Sequence, residues 1–141
     1  MKKILLLLTL ISTPSLSQEI ILNCQHKGEV SFPNKTTITT GDEFQVYFDE
    51  EKKLIHFSEN VACENFKSDG KFSQTLTIDN KKIVYRCDVR KIVSSDVSEM
   101  AYVMQIKRVT GKLETSARHT HQEGNTFTKT EGSCKKSSNQ F

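Results

Sequence analysis

Apolar and polar residues alternate through most of this chain, and the alternation is clearest in residues 101–117. The apolar positions of this segment share one face of a predicted β-hairpin: Tyr102, Met104, Ile106 and Leu113. A two-residue turn at Thr110 and Gly111 pairs Lys107 with Glu114 on the opposite, polar face. A three-residue turn would place Leu113 on the face of Lys107, so the side-chain pattern favours the two-residue register.

A second hairpin is predicted for residues 43–57, where apolar residues alternate on both sides of a charged loop. Its core face contains Phe44, Val46, Phe48, Ile55 and Phe57. A four-residue loop at residues 49–52 pairs Val46 with Ile55 and Phe44 with Phe57. The charges at the loop tip are typical of a solvated turn rather than of an acidic binding site.

Shorter alternating segments predict the remaining strands, at residues 19–32, 36–40, 74–78, 83–89 and 126–134. Gly28 interrupts the first of these strands and predicts a β-bulge. Residues 94–99 fit either a single helical turn or a plain loop. The pattern therefore predicts an all-β chain: a single antiparallel β-barrel or sandwich of about eight strands, meander-like in order.

The first 17 residues have the features of a secretory signal peptide. Lys2 and Lys3 precede an apolar run at residues 4–11, which is too short to span a bilayer. Pro14 and small residues then lead to a predicted cleavage site before Gln18. The short basic start is typical of bacterial export, so we expect a periplasmic or secreted protein with one β-domain at residues 18–141.

Four cysteines support this expectation: Cys24, Cys63, Cys87 and Cys134. An even number of cysteines in a small exported domain predicts two disulfides. Their wide spacing argues against a zinc site or a C-x-x-C redox motif. Three pairings are open, and we favour Cys24 with Cys134, which joins the first strand to the last. Cys63 with Cys87 would then tether the long loop at residues 58–70.

Charge excludes some classes of partner. Removal of the signal peptide takes away two lysines and no acids, so the formal net charge falls from +3 to +1. The rest of the chain has no basic block long enough for binding to nucleic acid or to anionic lipid. We therefore expect neither a nucleic-acid partner nor membrane attachment after cleavage.

Three short motifs carry a resemblance to known proteins: IKRVTG at residues 106–111, GSC at residues 132–134, and the terminal Phe141. With a cysteine-bearing first strand soon after the signal peptide, they resemble a group of small exported proteobacterial β-proteins. Lys107 departs from the Asp or Asn expected there. No function is known for that group, so the resemblance implies a fold and an exported location and transfers no site residue.

Two histidines, His119 and His121, are the main candidates for metal chemistry. Residues at i and i+2 of a strand point to the same side, so the pair would share a zinc or copper ion. Glu123 or Glu114 would be the third ligand. The alternative is that both histidines are solvated residues of a polar loop, and we expect no cofactor.

Phe66 and Phe72 are the candidates for a contact surface, because both lie in a short polar segment. They form a patch for a partner protein, or else fold inward and cap one end of the β-structure.

The sequence contains no nucleophile elbow and no phosphate-binding glycine loop, so we do not expect an enzyme. The predicted function is a non-catalytic module that binds another macromolecule of the cell envelope, for instance an inhibitor of a lysozyme or protease. The alternatives are a small-ligand-binding β-barrel, or a metal-binding protein that uses His119 and His121.

Overall fold

Nine β-strands and no helix make up the part of the chain that the computed structural model describes. The described residues are 19–39, 41, 43–58, 63, 71–93, 96–122 and 124–137. The strands are β1 (Ile20–Phe32), β2 (Lys35–Thr39), β3 (Glu43–Asp49), β4 (Leu54–Phe57), β5 (Lys71–Ile78), β6 (Lys82–Val93), β7 (Asp96–Lys107), β8 (Lys112–His121) and β9 (Gly124–Lys136). The expected signal peptide at residues 1–17 lies outside the described residues.

The strands form one antiparallel, nearly closed, barrel-like sheet in the order β4-β3-β1-β9-β8-β7-β6-β5. Strands β5 to β9 follow one another as a meander, and β1 continues the sheet beside β9. Strand β2 pairs with the second half of β1 and so forms an additional edge. The rings of Phe57 on edge strand β4 and Tyr85 on β6, the strand next to the opposite edge, lie 5.3 Å apart. The predicted all-β, meander-like barrel is confirmed.

The inner faces of the strands form the core. The predicted inward residues of both hairpins are buried or packed against the core: Phe44, Val46, Phe48, Ile55, Phe57, Tyr102, Met104, Ile106 and Leu113. Two threonines are also buried, and the Oγ1 atoms of Thr115 and Thr130 lie 2.7 Å apart. The hydrogen bond between them satisfies polar groups whose burial would otherwise be unfavourable.

The register of the central hairpin differs from the prediction by two residues. Leu113 pairs with Ile106, and Glu114 pairs with Gln105 rather than with Lys107. The turn contains four residues, 108–111, and is closed by the Gly111 N–H, which donates to the Lys107 carbonyl at 2.7 Å. Both the two-residue and the three-residue turns were therefore wrong. A shift of two residues preserves side-chain alternation, which is why the predicted core face is correct.

The hairpin of β3 and β4 differs in the same way. Val46 pairs with Phe57 and Phe48 with Ile55, so Asp49 belongs to the strand rather than to the loop. The Asp49 carboxylate accepts the backbone N–H groups of residues 51 and 52 at 3.0 and 2.9 Å. This side-chain cap starts the turn one residue later than the charge pattern indicated.

Two local predictions along the chain were wrong. Strand β1 runs through Gly28 without a bulge, since its pairing with β9 is continuous. A Cβ atom at Gly28 would lie 2.1 Å from the Lys129 carbonyl oxygen, so the glycine permits close approach of the two backbones. The segment predicted as a helical turn or loop belongs to β7 from Asp96 onward, while residues 94 and 95 are not described.

Both predicted disulfides are present. Cys24 and Cys134 occupy directly opposed positions on β1 and β9. Cys63, which is fully buried, is bonded to Cys87 on the inner face of β6. One bond thus joins the first and last strands, and the other attaches the β4–β5 connection to the barrel interior. Within the described ranges, no helix is long and apolar enough to cross a membrane.

Candidate functional sites

Three turns meet at one end of the barrel, and we call residues 50–53, 79–81 and 108–111 the turn cluster. Arg108 joins them. Its backbone N–H donates to the Lys81 carbonyl at 2.8 Å, and its guanidinium donates to the Asp79 carbonyl at 2.9 Å. The same guanidinium contacts the Glu50 carboxylate at 2.5 Å. One side chain therefore fixes the turn between β7 and β8 to both neighbouring turns.

Further hydrogen bonds hold the individual turns. The Asp79 carboxylate accepts the backbone N–H groups of Lys81 and Lys82 at 2.7 and 2.8 Å, and these bonds hold the pKa of Asp79 below its usual value. In the turn that contains Arg108, Gly111 has a φ of 67° and its carbonyl accepts the Cys134 N–H at 2.7 Å. A network of this kind favours one conformation of the cluster.

Val109 lies at the tip of the turn cluster and is 88% exposed. This is the highest exposure of any large hydrophobic residue in the described part of the chain; Ile38, on the outer face of β2, follows at 77%. An apolar side chain held in water on a fixed turn makes no contribution to the core. It is instead available for contact with another molecule.

A cleft of about 460 Å³ opens beside Val109 at this end of the barrel. Its floor is apolar and is formed by Ile20, Leu22, Phe48, Ile83 and Ile106. Lys107, Lys135 and Lys136 line it as well. Neither Lys135 nor Lys136 forms a salt bridge with any described residue, so both charges are available to a partner.

The charge of Lys107 is partly compensated. Its Nζ lies 3.9 Å from the Glu114 carboxylate, which also contacts Lys112 at 2.8 Å. The bond to Lys112, assisted by its charge, lowers the pKa of Glu114, and the same contact raises the pKa of Lys112. These groups are exposed, so the pairs arrange surface charge and contribute little to stability.

His119 and His121 lie near the opposite end of the barrel, which we call the histidine end. Both are on β8 and half-buried, on the face that also contains Leu113 and Thr115. Their ring centroids are 5.2 Å apart. The alternative that both are solvated loop residues is therefore wrong.

The third metal ligand is not found in the described part of the chain. Glu114 lies on the outer face of β8, where it contacts Lys112, so its predicted role as a ligand was wrong. Glu123 lies outside the described residues. Among the residues described, no group of three or more His, Cys, Asp or Glu side chains is arranged to hold a metal ion.

Ser98 on β7 contacts one of the two histidines, His119. Its Oγ lies 2.7 Å from His119 Nε2, the contact that a general base makes with a serine nucleophile. Among the described residues, however, no carboxylate hydrogen-bonds His119, and the neighbouring Glu99 pairs with Arg90 at 3.3 Å. A catalytic triad is not assembled by these residues.

The two predicted patch residues have different outcomes. Phe72 is half-buried on β5 and packs against the core, as the inward alternative predicted. Phe66 lies outside the described residues, so the patch itself stays a prediction.

The sequence alone did not predict the turn cluster. The IKRVTG segment could have indicated it, because Val109 is a β-branched apolar residue inside a turn, where the side chain does not face the core. Arg108 gave no signal, since all three of its partners come from other turns. No protein-family model, curated protein or solved structure matches this chain.

Proposed function

We propose that this protein is an exported, non-catalytic binding module that docks on a protein partner in the bacterial cell envelope through the turn cluster. The observation that carries the proposal is the combination of an 88% exposed Val109 with a turn held by Arg108. Hydrogen bonds of Arg108 and Gly111 hold the turn that carries this exposed apolar side chain.

Preorganisation supports docking at this surface. A flexible loop loses conformational entropy when it binds, and each immobilised side chain adds about 0.5–1.5 kcal/mol to that cost. In the turn cluster, most of this ordering is already provided by the hydrogen bonds of Arg108, Gly111 and Asp79. A partner would therefore gain the burial of Val109 at little entropic cost.

The charges beside Val109 indicate the chemistry of the partner. Lys135 and Lys136 line the apolar cleft without salt-bridge partners among the described residues. A complementary surface would present an apolar pocket for Val109 and acidic groups that face the two lysines. The closely packed side chains Ile83 and Ile106 form the floor, which favours a surface contact over a deeply enclosed small ligand.

Two disulfides are consistent with an oxidising compartment outside the cytoplasm. Together with the signal-peptide pattern of residues 1–17, they support export to the periplasm or beyond. The resemblance to small exported proteobacterial proteins points to the same location and stays a prediction.

Site-specific photo-crosslinking in intact producing cells tests the proposal. A photoreactive phenylalanine analogue replaces Val109, and the matched control carries it at Ile38, which is exposed to a similar degree on another surface. We expect a discrete adduct of one partner protein from position 109 and none of that size from position 38. No adduct at position 109, or the same adducts from both positions, would overturn the docking surface.

Charge reversal tests the chemistry of the partner. Lys135→Glu combined with Lys136→Glu should reduce the yield of the adduct from position 109, because the attraction to acidic groups becomes repulsion. Lys27→Glu combined with Lys129→Glu, on strands β1 and β9, is the control with the same change in net charge. Equal losses in both variants would show that net charge alone matters and would contradict an acidic partner surface.

A further inference from the structure

The rings of His119 and His121 incline toward each other. Residues at i and i+2 of a strand have Cα atoms about 7 Å apart, yet the ring centroids lie only 5.2 Å apart. The rings are tilted by 56° rather than stacked. Two imidazoles this close together, on one face of the same strand, are near enough to bind one metal ion between them.

Hydroxyl groups from the neighbouring strands hold both rings. Ser98 Oγ on β7 lies 2.7 Å from Nε2 of His119, and Thr126 Oγ1 on β9 lies 3.3 Å from Nε2 of His121. When each Nε2–H donates to its hydroxyl oxygen, the Nδ1 of each ring retains its lone pair. Outer hydrogen bonds of this kind orient the histidines of metal sites and fix their tautomer.

We propose that His119 and His121 bind one divalent transition-metal ion, with Cu²⁺ preferred over Zn²⁺, through one ring nitrogen each. Water completes the coordination, as two imidazoles leave positions open. Imidazole ligands select copper, nickel or zinc over magnesium and calcium, and copper(II) stands highest in the affinity order of these ions. This site lies at the histidine end and is independent of the turn cluster.

Calorimetric titration of the tag-free, disulfide-bonded protein with CuCl₂, ZnCl₂ and MgCl₂ tests the site. We expect one bound Cu²⁺ per chain, weaker binding of Zn²⁺, and no binding of Mg²⁺. The electron paramagnetic resonance spectrum of the Cu²⁺ form should show hyperfine coupling to two nitrogens. His119→Gln and His121→Gln should each lose this binding and this coupling, while far-UV circular dichroism reports on the fold.

Two further variants separate this site from other histidines. His56→Gln, at an exposed position of β4, is the matched control and should bind Cu²⁺ as the native protein does. Ser98→Ala keeps both ligands but removes the hydroxyl at His119 Nε2, so it should weaken Cu²⁺ binding by roughly 10- to 100-fold. Native-like Cu²⁺ binding in the double variant His119→Gln, His121→Gln would overturn the proposal, as would no binding to the native protein.

Discussion

The two ends of the barrel are built from the same strands but contain different side chains. At the end nearest the turn cluster, which we call the packed end, Ile83, Ile106 and Leu113 are at most 1% exposed. At the histidine end, the inner faces of β7 and β8 carry Met100 and His119, which are only half-buried. Burial of apolar area is the main stabilising term of folding. We therefore expect the packed end to contribute more to stability than the histidine end, where hydrogen-bonded polar groups replace part of the apolar core.

The disulfides offer the largest test, since one lies close to the turn cluster and the other is attached near the middle of β6. Cys24 bonds to Cys134 close to the turn cluster, and Cys87 lies opposite Tyr102, further toward the histidine end. By loop-closure entropy, the long link should contribute about 5 kcal/mol and the link of Cys63 to Cys87 about 3.5 kcal/mol. We expect the double alanine variant at residues 24 and 134 to lower the free energy of unfolding more than the double alanine variant at residues 63 and 87. Equal losses in urea unfolding would contradict the ranking.

Truncation of one core residue at each end is the next largest test. Ile106→Ala should lower the free energy of unfolding by about 3 kcal/mol, because it leaves a cavity among fully buried neighbours. Met100→Ala, at a half-buried position, should cost about 1 kcal/mol. Lys107→Ala is the surface control and should cost less than about 1 kcal/mol. Urea unfolding measures all three, and a greater loss for Met100 than for Ile106 would reverse the comparison.

A backbone test concerns the turn cluster. Gly111→Val should cost about 2–3 kcal/mol, since the residue has a φ of 67° and a Cβ atom would lie 2.2 Å from the Cys134 carbonyl oxygen. Val109→Thr, in the same turn, keeps the β-branched shape at an exposed position and should change stability by less than about 0.5 kcal/mol. Similar melting temperatures of the two variants would show that the turn tolerates rearrangement.

The smallest effect is a pH dependence at the histidine end. The pKa of His119 is lower in the folded protein than its ordinary value of 6.5, so the unfolded chain takes up this proton more readily. The free energy of unfolding should therefore fall as the pH drops through 6.5 toward the folded-state pKa, and this contribution should stay constant below that pKa. Urea midpoints at about pH 7.5 and about pH 5.5 should show a smaller difference in His119→Gln than in the native protein. An unchanged difference would exclude His119 as its source.

Side-chain alternation was enough to predict the inward faces of the strands and the all-β class, because burial acts on every second residue. It did not fix either hairpin register. A slip of two residues leaves the same faces buried, so the choice depends on contacts of the turns. Asp49 caps its own turn, and Arg108 leaves its hairpin to bind the carbonyl groups of Asp79 and Lys81. Such long-range contacts have no local pattern in sequence.

The candidate sites were predictable to different degrees. The disulfide pairing followed from joining the first strand to the last, and the histidine pair followed from its i and i+2 spacing. Ser98 and Thr126 reach the same histidines from β7 and β9, and their contribution required the strand register. Val109 is exposed because it lies within the observed four-residue turn. The predicted two-residue turn did not include Val109, so the sequence did not indicate its exposure.

The central claim is that Val109 is presented by a fixed turn, and amide hydrogen exchange measured residue by residue by NMR tests it most directly. The Arg108, Gly111 and Cys134 N–H groups are hydrogen-bonded at 2.7–2.8 Å, so they should exchange as slowly as amides in the central strands. The amides of Val109 and Thr110, at the tip, should exchange rapidly. Rapid exchange at Arg108 and Gly111 as well would show a mobile loop and would contradict a preorganised docking surface.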